Sequence, residues 1–317
     1  MPLVGVVTYL SKTVNKDFLT LQDYSSDEIW EILRLTKKIK SKPEKYGDHI
    51  SGKSVLILFQ KASTRTRVSF EVAIRQLGGF PIYLGWSEAQ LGRGETVADT
   101  ARVLSRYVQC IVARVYHHSD LEEMASYADI PIVNALSDLY HPCQVVADLF
   151  TVWEHFGSLK GLKMAYIGDA NNVCNSLLIG CSKIGIDIAV ACPHEYSPKE
   201  KILNLAIRNA ENGGSSVKVS ADPVDAVKGA QVVCTDVFVS MGSEEEKSER
   251  LKVFLPKYQV TTELFKYASD DTVFMHCLPA HRGEEVTADV IDGPRSIVWD
   301  QAENRLHTAK AILAYIL

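Results

Sequence analysis

"LFQKASTRTRVSFEVAIRQLGG", residues 58–79, runs from a strand-like apolar stretch into a helix-like one, with hydroxyls and cations gathered at the joint. Val55 to Phe59 reads as a buried strand. Beyond the joint, Phe70, Ala73, Ile74 and Leu77 recur at i, i+3, i+4 and i+7, and Gly78-Gly79 closes the helix. A strand feeding directly into a helix is the opening unit of an α/β fold with parallel sheets. The alternation continues outward: strands are expected at Pro81–Leu84, Cys110–Val115 and Pro131–Asn134, with helices over 96–107, 120–127 and 144–156. After "GSLKG" a second series predicts strands at Lys163–Ile167, Ile188–Ala191, Val217–Ser220, Gln231–Thr235, Thr272–Met275 and Ser296–Trp299. The expected fold class is therefore α/β with two domains, each a parallel sheet flanked by helices. We divide the chain into residues 1–148 and 149–302, with the final helix 303–317 packing back on the first half.

The composition limits what the cations at the joint can be for. The chain has 317 residues, a length that favours two domains over one. Its net charge is −5, with 46% apolar and 23% charged residues, which describes an ordinary globular protein and excludes the basic excess of a nucleic-acid binder. The positive cluster is thus a local device. No apolar run reaches the roughly 20 residues of a membrane span, and the start "MPLVGVVTYLSKTVNKDF" lacks a basic leader and a cleavage site, so a cytoplasmic protein is expected. Seven scattered cysteines without a CxxC pair argue against disulfides and against zinc.

Two other segments compete for a phosphate. "GDHISGKS", residues 47–54, satisfies the P-loop pattern GxxxxGK[ST], but a P-loop follows a strand and opens a helix, whereas here the strand comes after the match. A glycine turn into a strand is the better reading. "GDANNVCNSLL", residues 168–178, does sit between strand and helix, yet Ala170 and Val173 stand where a dinucleotide fingerprint needs glycine, and the next strand ends in Cys192 instead of an acid. The joint at 61–67 has the right topology: helix N-termini expose unpaired N–H groups, Ser63, Thr64 and Thr66 add hydroxyls, and Arg65 offers a guanidinium fork. Taken alone, it could equally be a capped helix with solvated cations.

Four further segments decide between these readings. "HPCQ" at 141–144, "TDVFVSMG" at 235–242, "FMHCLPAHRGEEV" at 274–286 and "EAQLGRGET" at 88–96, taken with "STRT", resemble the aspartate/ornithine carbamoyltransferase family, and within it the branch that uses ornithine. The resemblance runs from about residue 18 to the final helix. It implies that residues 1–148 bind carbamoyl phosphate and 149–302 bind ornithine. Matched to the carbamoyl-phosphate contacts are Ser63, Thr64, Arg65, Thr66, Gln90, Arg114, His141, Gln144, Cys277, Leu278 and Arg305, with Arg114, His141 and Cys277 in catalytic roles; Gln90 matches a loop that reaches a neighbouring subunit's site. Asn172, Asp236, Ser240 and Met241 match the ornithine contacts. Homotrimers, or assemblies of trimers with shared active sites, are implied; no metal, organic cofactor, nucleic acid or membrane is.

The residue types suit the implied reaction. The δ-amine of ornithine attacks the carbonyl of carbamoyl phosphate, citrulline and phosphate result, and negative charge grows on the carbonyl oxygen and on the leaving phosphate. Donors fixed at both places stabilise the transition state more than the ground state. Cys277 is expected near the reacting amine, as proton acceptor or positioning group, while His276 and His281 are expected in structural or rim roles. Three competitors stand beside this reading: a sibling enzyme acting on putrescine, aspartate or an N-acylated ornithine, a P-loop NTPase, and a non-catalytic binding protein.

Overall fold

The computed structural model describes residues 16–239 and 244–317. Its first half contains α1 (Ser26–Ser41), β1 (Ser54–Phe59), α2 (Thr64–Gln76), β2 (Phe80–Gly85), α3 (Val97–Leu104), β3 (Cys110–Arg114), α4 (His118–Tyr127), β4 (Ile132–Leu136) and α5 (Pro142–Phe156). The second contains β5 (Lys163–Ile167), α6 (Asn172–Ile184), β6 (Asp187–Ala191), α7 (Glu200–Gly213), β7 (Val217–Ser220), α8 (Pro223–Val227), β8 (Val232–Thr235), α9 (Lys247–Phe254), β9 (Val273–His276), α10 (Ala288–Ile291) and α11 (Val298–Ile316). All strand pairs are parallel, in sheets of order β2-β1-β3-β4 and β7-β6-β5-β8-β9. No helix among the described residues is long and apolar enough to cross a membrane.

Strand burial follows the two-residue period of a pleated sheet covered on both faces. In β1, Val55, Ile57 and Phe59 join a large central core, while Leu56 and Leu58 join a smaller one on the opposite face. In β5, Met164 and Tyr166 enter that same central core, and Ala165 and Ile167 face a third. One continuous apolar core therefore links the two sheets. Helix ends obey local chemistry. α1 begins with a reciprocal Ser25–Glu28 capping box. α2 stops at Gly78, whose φ of +85° and 2.5 Å gap between a built Cβ and Gly47 O leave room for no side chain.

The expected strand at Ser296–Trp299 is not formed. Ser296 makes a single parallel bridge to Phe274, and α11 starts at Val298. The apolar residues there continue at helical and not alternating spacing, with Asp300 in the first turn to favour a helix start. The helix packs on α1, α2 and α5. Residues 47–52 form turns leading into β1, and the Lys53 ammonium bonds the Leu317 carbonyl, so the P-loop pattern has no helix to open.

α5 and α6 pack closely because α6 carries Gly180, where an added Cβ would lie 2.8 Å from Val145 and 3.1 Å from Leu21. Gly180→Val is expected to destabilise the protein by about 1–3 kcal/mol through overpacking. Chemical denaturation would read this, and an unchanged midpoint would contradict the close packing of these helices.

Candidate active site

Each sheet reverses its strand order at its centre, and crevices at the carboxyl ends of strands on either side of such a reversal are where α/β proteins bind ligands. In the first sheet the chain leaves β1 for β2 on one side and then returns to β3 on the other. The β1–α2 joint places Ser63 to Thr66 at that crevice. Arg114 ends β3 where the register with β4 slips, Ala113 facing Asn134 and Arg114 facing Leu136, a bulge that re-aims the side chain. The β4–α5 connection brings His141 and Gln144. Ser63 caps α2, accepting the Thr66 N–H at 3.3 Å and donating its hydroxyl to Thr66 Oγ1 at 3.0 Å. Arg305 of α11 completes the set, its Nη2 donating to Thr66 Oγ1 and its Nη1 to Gln144 Oε1, both at 2.9 Å.

The electrostatics of this cluster call for an anion. Arg114, His141 and Arg305 are at most 6% exposed, and neither Arg114 Nε nor His141 Nδ1 has a hydrogen-bond partner. Burial and the nearby Arg305 cation push the Arg114 guanidinium down to about 10, with Arg65 contributing repulsion from the exposed end of α2. Burial, Arg305 and Arg114 hold His141 well below the ordinary histidine value, so its ring is neutral. The first turn of α2 contains no acid and two arginines, the reverse of what the helix dipole favours. Two buried guanidinium groups side by side at a helix N-terminus are a setting that suits a negative ligand.

The second sheet has its reversal between β5 and β8. Asn171 caps α6, its Oδ1 accepting from Val173 N at 2.9 Å and Cys174 N at 3.2 Å, which leaves Nδ2 to donate to Asp236 Oδ2 at 2.7 Å. The other oxygen of Asp236 accepts from Val237 N at 2.8 Å and from the Cys277 thiol at 3.0 Å. Burial and Asp236 push the Cys277 thiol well above its ordinary value, and in this bond the thiol is the donor. Asn172 donates to Ser137 O at 2.6 Å, a link from the second half to the β4–α5 connection. Leu278 has φ of +58°, the one left-handed residue other than glycine among those described, and such a conformation costs on the order of 1–3 kcal/mol. Its N–H donates to His276 Nδ1 at 2.8 Å, which leaves the His276 proton on Nε2, facing Glu285 at 3.2 Å.

The expected site residues thus fall into groups. Ser63, Thr66, Arg114, His141, Gln144 and Arg305 meet at the first crevice, with Thr64 and Arg65 exposed at its edge; Asn172, Asp236, Cys277 and Leu278 stand at the ends of β5, β8 and β9. Gln90 opens a short 3-10 turn, exposed, and none of the hydrogen bonds of either group among the described residues reaches it. Ser240 and Met241 lie outside the described residues. Sequence reasoning passed over Asn171, whose capping position before α6 was readable, and Arg250, whose partners were not. Arg250 binds Asp169 as a half-buried ion pair, donates to Phe238 O at 2.6 Å and lies 4.6 Å from the Tyr196 ring centre. Burial, opposed by Arg250, pushes Asp169 up to about 6.

Asp236, His276 and Cys277 bring ligand-type atoms within 4.8 Å of one another, but both ring nitrogens of His276 and the Cys277 thiol are already engaged as described. The trio is organised by hydrogen bonds.

Comparison with known proteins gives one consistent result. The family model described as the carbamoyl-P binding domain of aspartate/ornithine carbamoyltransferase matches residues 16–154, and that of the Asp/Orn binding domain matches 160–316. The chain is 55% identical to an ornithine carbamoyltransferase of Pyrococcus horikoshii over 304 residues, 95% of this chain and 96% of the relative. The same identity and coverage relate it to an anabolic ornithine carbamoyltransferase of Pyrococcus furiosus. A solved ornithine carbamoyltransferase structure from Pyrococcus furiosus superposes with a TM-score of 0.93 at 53% identity, covering 97% of this chain and 98% of that one.

Proposed function

We infer the activity of this chain from its kinship: it belongs to the aspartate/ornithine carbamoyltransferase family, and it transfers the carbamoyl group of carbamoyl phosphate to the δ-amine of L-ornithine, giving L-citrulline and phosphate. Run forward, the reaction serves arginine biosynthesis; in reverse, arginine breakdown. The anabolic name of the Pyrococcus furiosus relative favours the forward direction. The observation that carries the assignment of the phosphate site is the buried Arg114, its Nε unpartnered and its guanidinium set against the Arg305 cation, beside a neutral His141 at the start of α2.

In our reading the phosphate lies against the N-terminus of α2, held by Ser63, Thr64 and Arg65. Thr66 Oγ1 already accepts from Ser63 and Arg305, so its own hydrogen is left to donate toward the carbamoyl oxygen, together with Arg114 and His141. Gln144, Gln90 and Leu278 complete that end. Asp236 takes the α-ammonium of ornithine, Asn172 turns to its α-carboxylate, and Ser240 and Met241 support the same end. The δ-amine, with a reference pKa of about 10.4, reacts only in its neutral form. Its nitrogen bonds to the carbonyl carbon, the carbon–oxygen bond to phosphate breaks with the electron pair leaving on that oxygen, and the proton shed by the nitrogen goes to the departing phosphate. Cys277 acts as a positioning group between Asp236 and the amine. The charges in this step are met by side chains, and no cofactor is invoked.

The working form is proposed as a homotrimer or an assembly of trimers that shares its sites. Support comes from exposed Gln90 and from the edge strand β2, where Phe80 is 63% and Ile82 45% exposed. Residues 1–148 with the final helix 303–317 are taken as the carbamoyl-phosphate domain, and 149–302 as the ornithine domain. A cytoplasmic location accords with seven free cysteines.

Assaying carbamoyl transfer from carbamoyl phosphate to ornithine, putrescine, aspartate and N-acetylornithine tests the assignment. Citrulline is expected to dominate, at a rate that climbs with pH through neutrality when ornithine is scarce. Faster carbamoylation of another amine, or none of ornithine, would overturn it.

A further inference from the structure

We propose that Asp148 is a positioning residue for the transfer: its carboxylate orients two glutamine amides, and through them aims the Arg305 fork at the carbamoyl-phosphate site and anchors the start of the His276–Leu278 segment. The inference rests on the carbamoyl-phosphate reading above. Gln144 and Asp148 stand one turn apart on α5, and Gln301 and Arg305 one turn apart on the facing α11. Asp148 Oδ1 accepts from Gln144 Nε2 and from Gln301 Nε2, each at 2.7 Å. An ionised carboxylate only accepts, so both amides must turn their NH2 groups toward it and their oxygens away.

Each of those oxygens then meets a donor. Gln144 Oε1 receives Arg305 Nη1 at 2.9 Å, and Gln301 Oε1 receives the His276 N–H at 2.9 Å. A reversed Gln144 would set its NH2 against the guanidinium, and a reversed Gln301 would set its NH2 against a backbone N–H. All five groups are buried, Asp148 and Gln144 fully, so no solvent is at hand to replace a lost bond. The arrangement is costly: Asp148 Oδ2 has no partner, and burial, opposed by the two glutamines, pushes this carboxyl up to about 6. An apolar residue would pack there more cheaply, so the acid is explained by what it directs.

Binding of inorganic phosphate, measured by calorimetry, tests the relay. Asp148→Leu is expected to weaken phosphate about tenfold, and Asp148→Asn, which keeps one acceptor oxygen, to recover to within threefold of the parent. In an Arg305→Met background, Asp148→Leu is expected to change affinity by less than twofold, because the group it aims is gone. Independent, multiplying losses would overturn the proposal, as would an Asp148→Asn variant no better than leucine. Should Asp148→Leu fail to fold, Gln301→Met carries the test: kcat down about tenfold with phosphate affinity within twofold, whereas equal losses in both would overturn it. A parent protein that binds no phosphate would remove the carbamoyl-phosphate reading itself, which sets that failure apart from a failure of the relay.

Discussion

Arg114→Leu is expected to lower kcat/KM for carbamoyl phosphate by about 10²–10³-fold, the usual cost of removing a donor aimed at developing charge, and at the same time to raise the stability of the ligand-free protein. The two effects share one cause. Arg114 is 4% exposed, its Nε has no hydrogen-bond partner, and its nearest ionic neighbours include the cations of Arg305 and Arg65. Removing an uncompensated buried charge in favour of an apolar side chain stabilises by about 1–3 kcal/mol, whereas the transition state loses a donor it needs. Opposite movement of activity and thermal midpoint is the signature of a site strained for function. Loss of both together would make Arg114 a structural residue and remove the case for an anion at this crevice.

The second large effect is expected at Asp236→Asn. A carboxylate that is 7% exposed and accepts from Asn171, Val237 N and Cys277 is well placed to hold an ammonium group. Its loss should reduce kcat/KM for ornithine by about 10²–10³-fold, the cost of breaking a buried charge pair, with the KM for carbamoyl phosphate changed by less than about threefold. A second readout comes from Cys277. The thiol is held protonated by burial and by the carboxylate that both accepts its hydrogen and repels its thiolate. Without that carboxylate the thiolate becomes easier to form, so alkylation of Cys277 at mildly alkaline pH should speed up. Equal losses for both substrates, or an unchanged alkylation rate, would contradict the assignment.

Much of this candidate site is legible in the sequence, for a physical reason. Strand ends at a sheet reversal and helix N-termini are local features, so "KASTRTR" after an apolar run, "HPCQ" before a helix and "HCLP" after a strand each carried their own placement. The misjudged strand at Ser296–Trp299 shows where local reading stops. A short apolar run fits strand or helix alike, and a single bridge to Phe274 followed by helical packing of α11 on α1, α2 and α5 settled it. The direction of the Cys277 bond was equally out of reach, since it depends on Asp236, 41 positions earlier. So was the α5–α11 relay: Gln144 and Asp148 display their spacing openly, but nothing local says that Gln301 and Arg305 face them from 153 and 161 positions away.

A crystal structure of the protein with carbamoyl phosphate addresses the central claim most directly. The phosphorus atom is expected at the N-terminus of α2, with its oxygens in hydrogen-bond reach of Ser63, Thr64 and Arg65 and the carbamoyl oxygen turned toward Thr66, Arg114 and His141. Carbamoyl phosphate bound anywhere else, with Arg114 Nε and His141 Nδ1 still unpartnered, would contradict it.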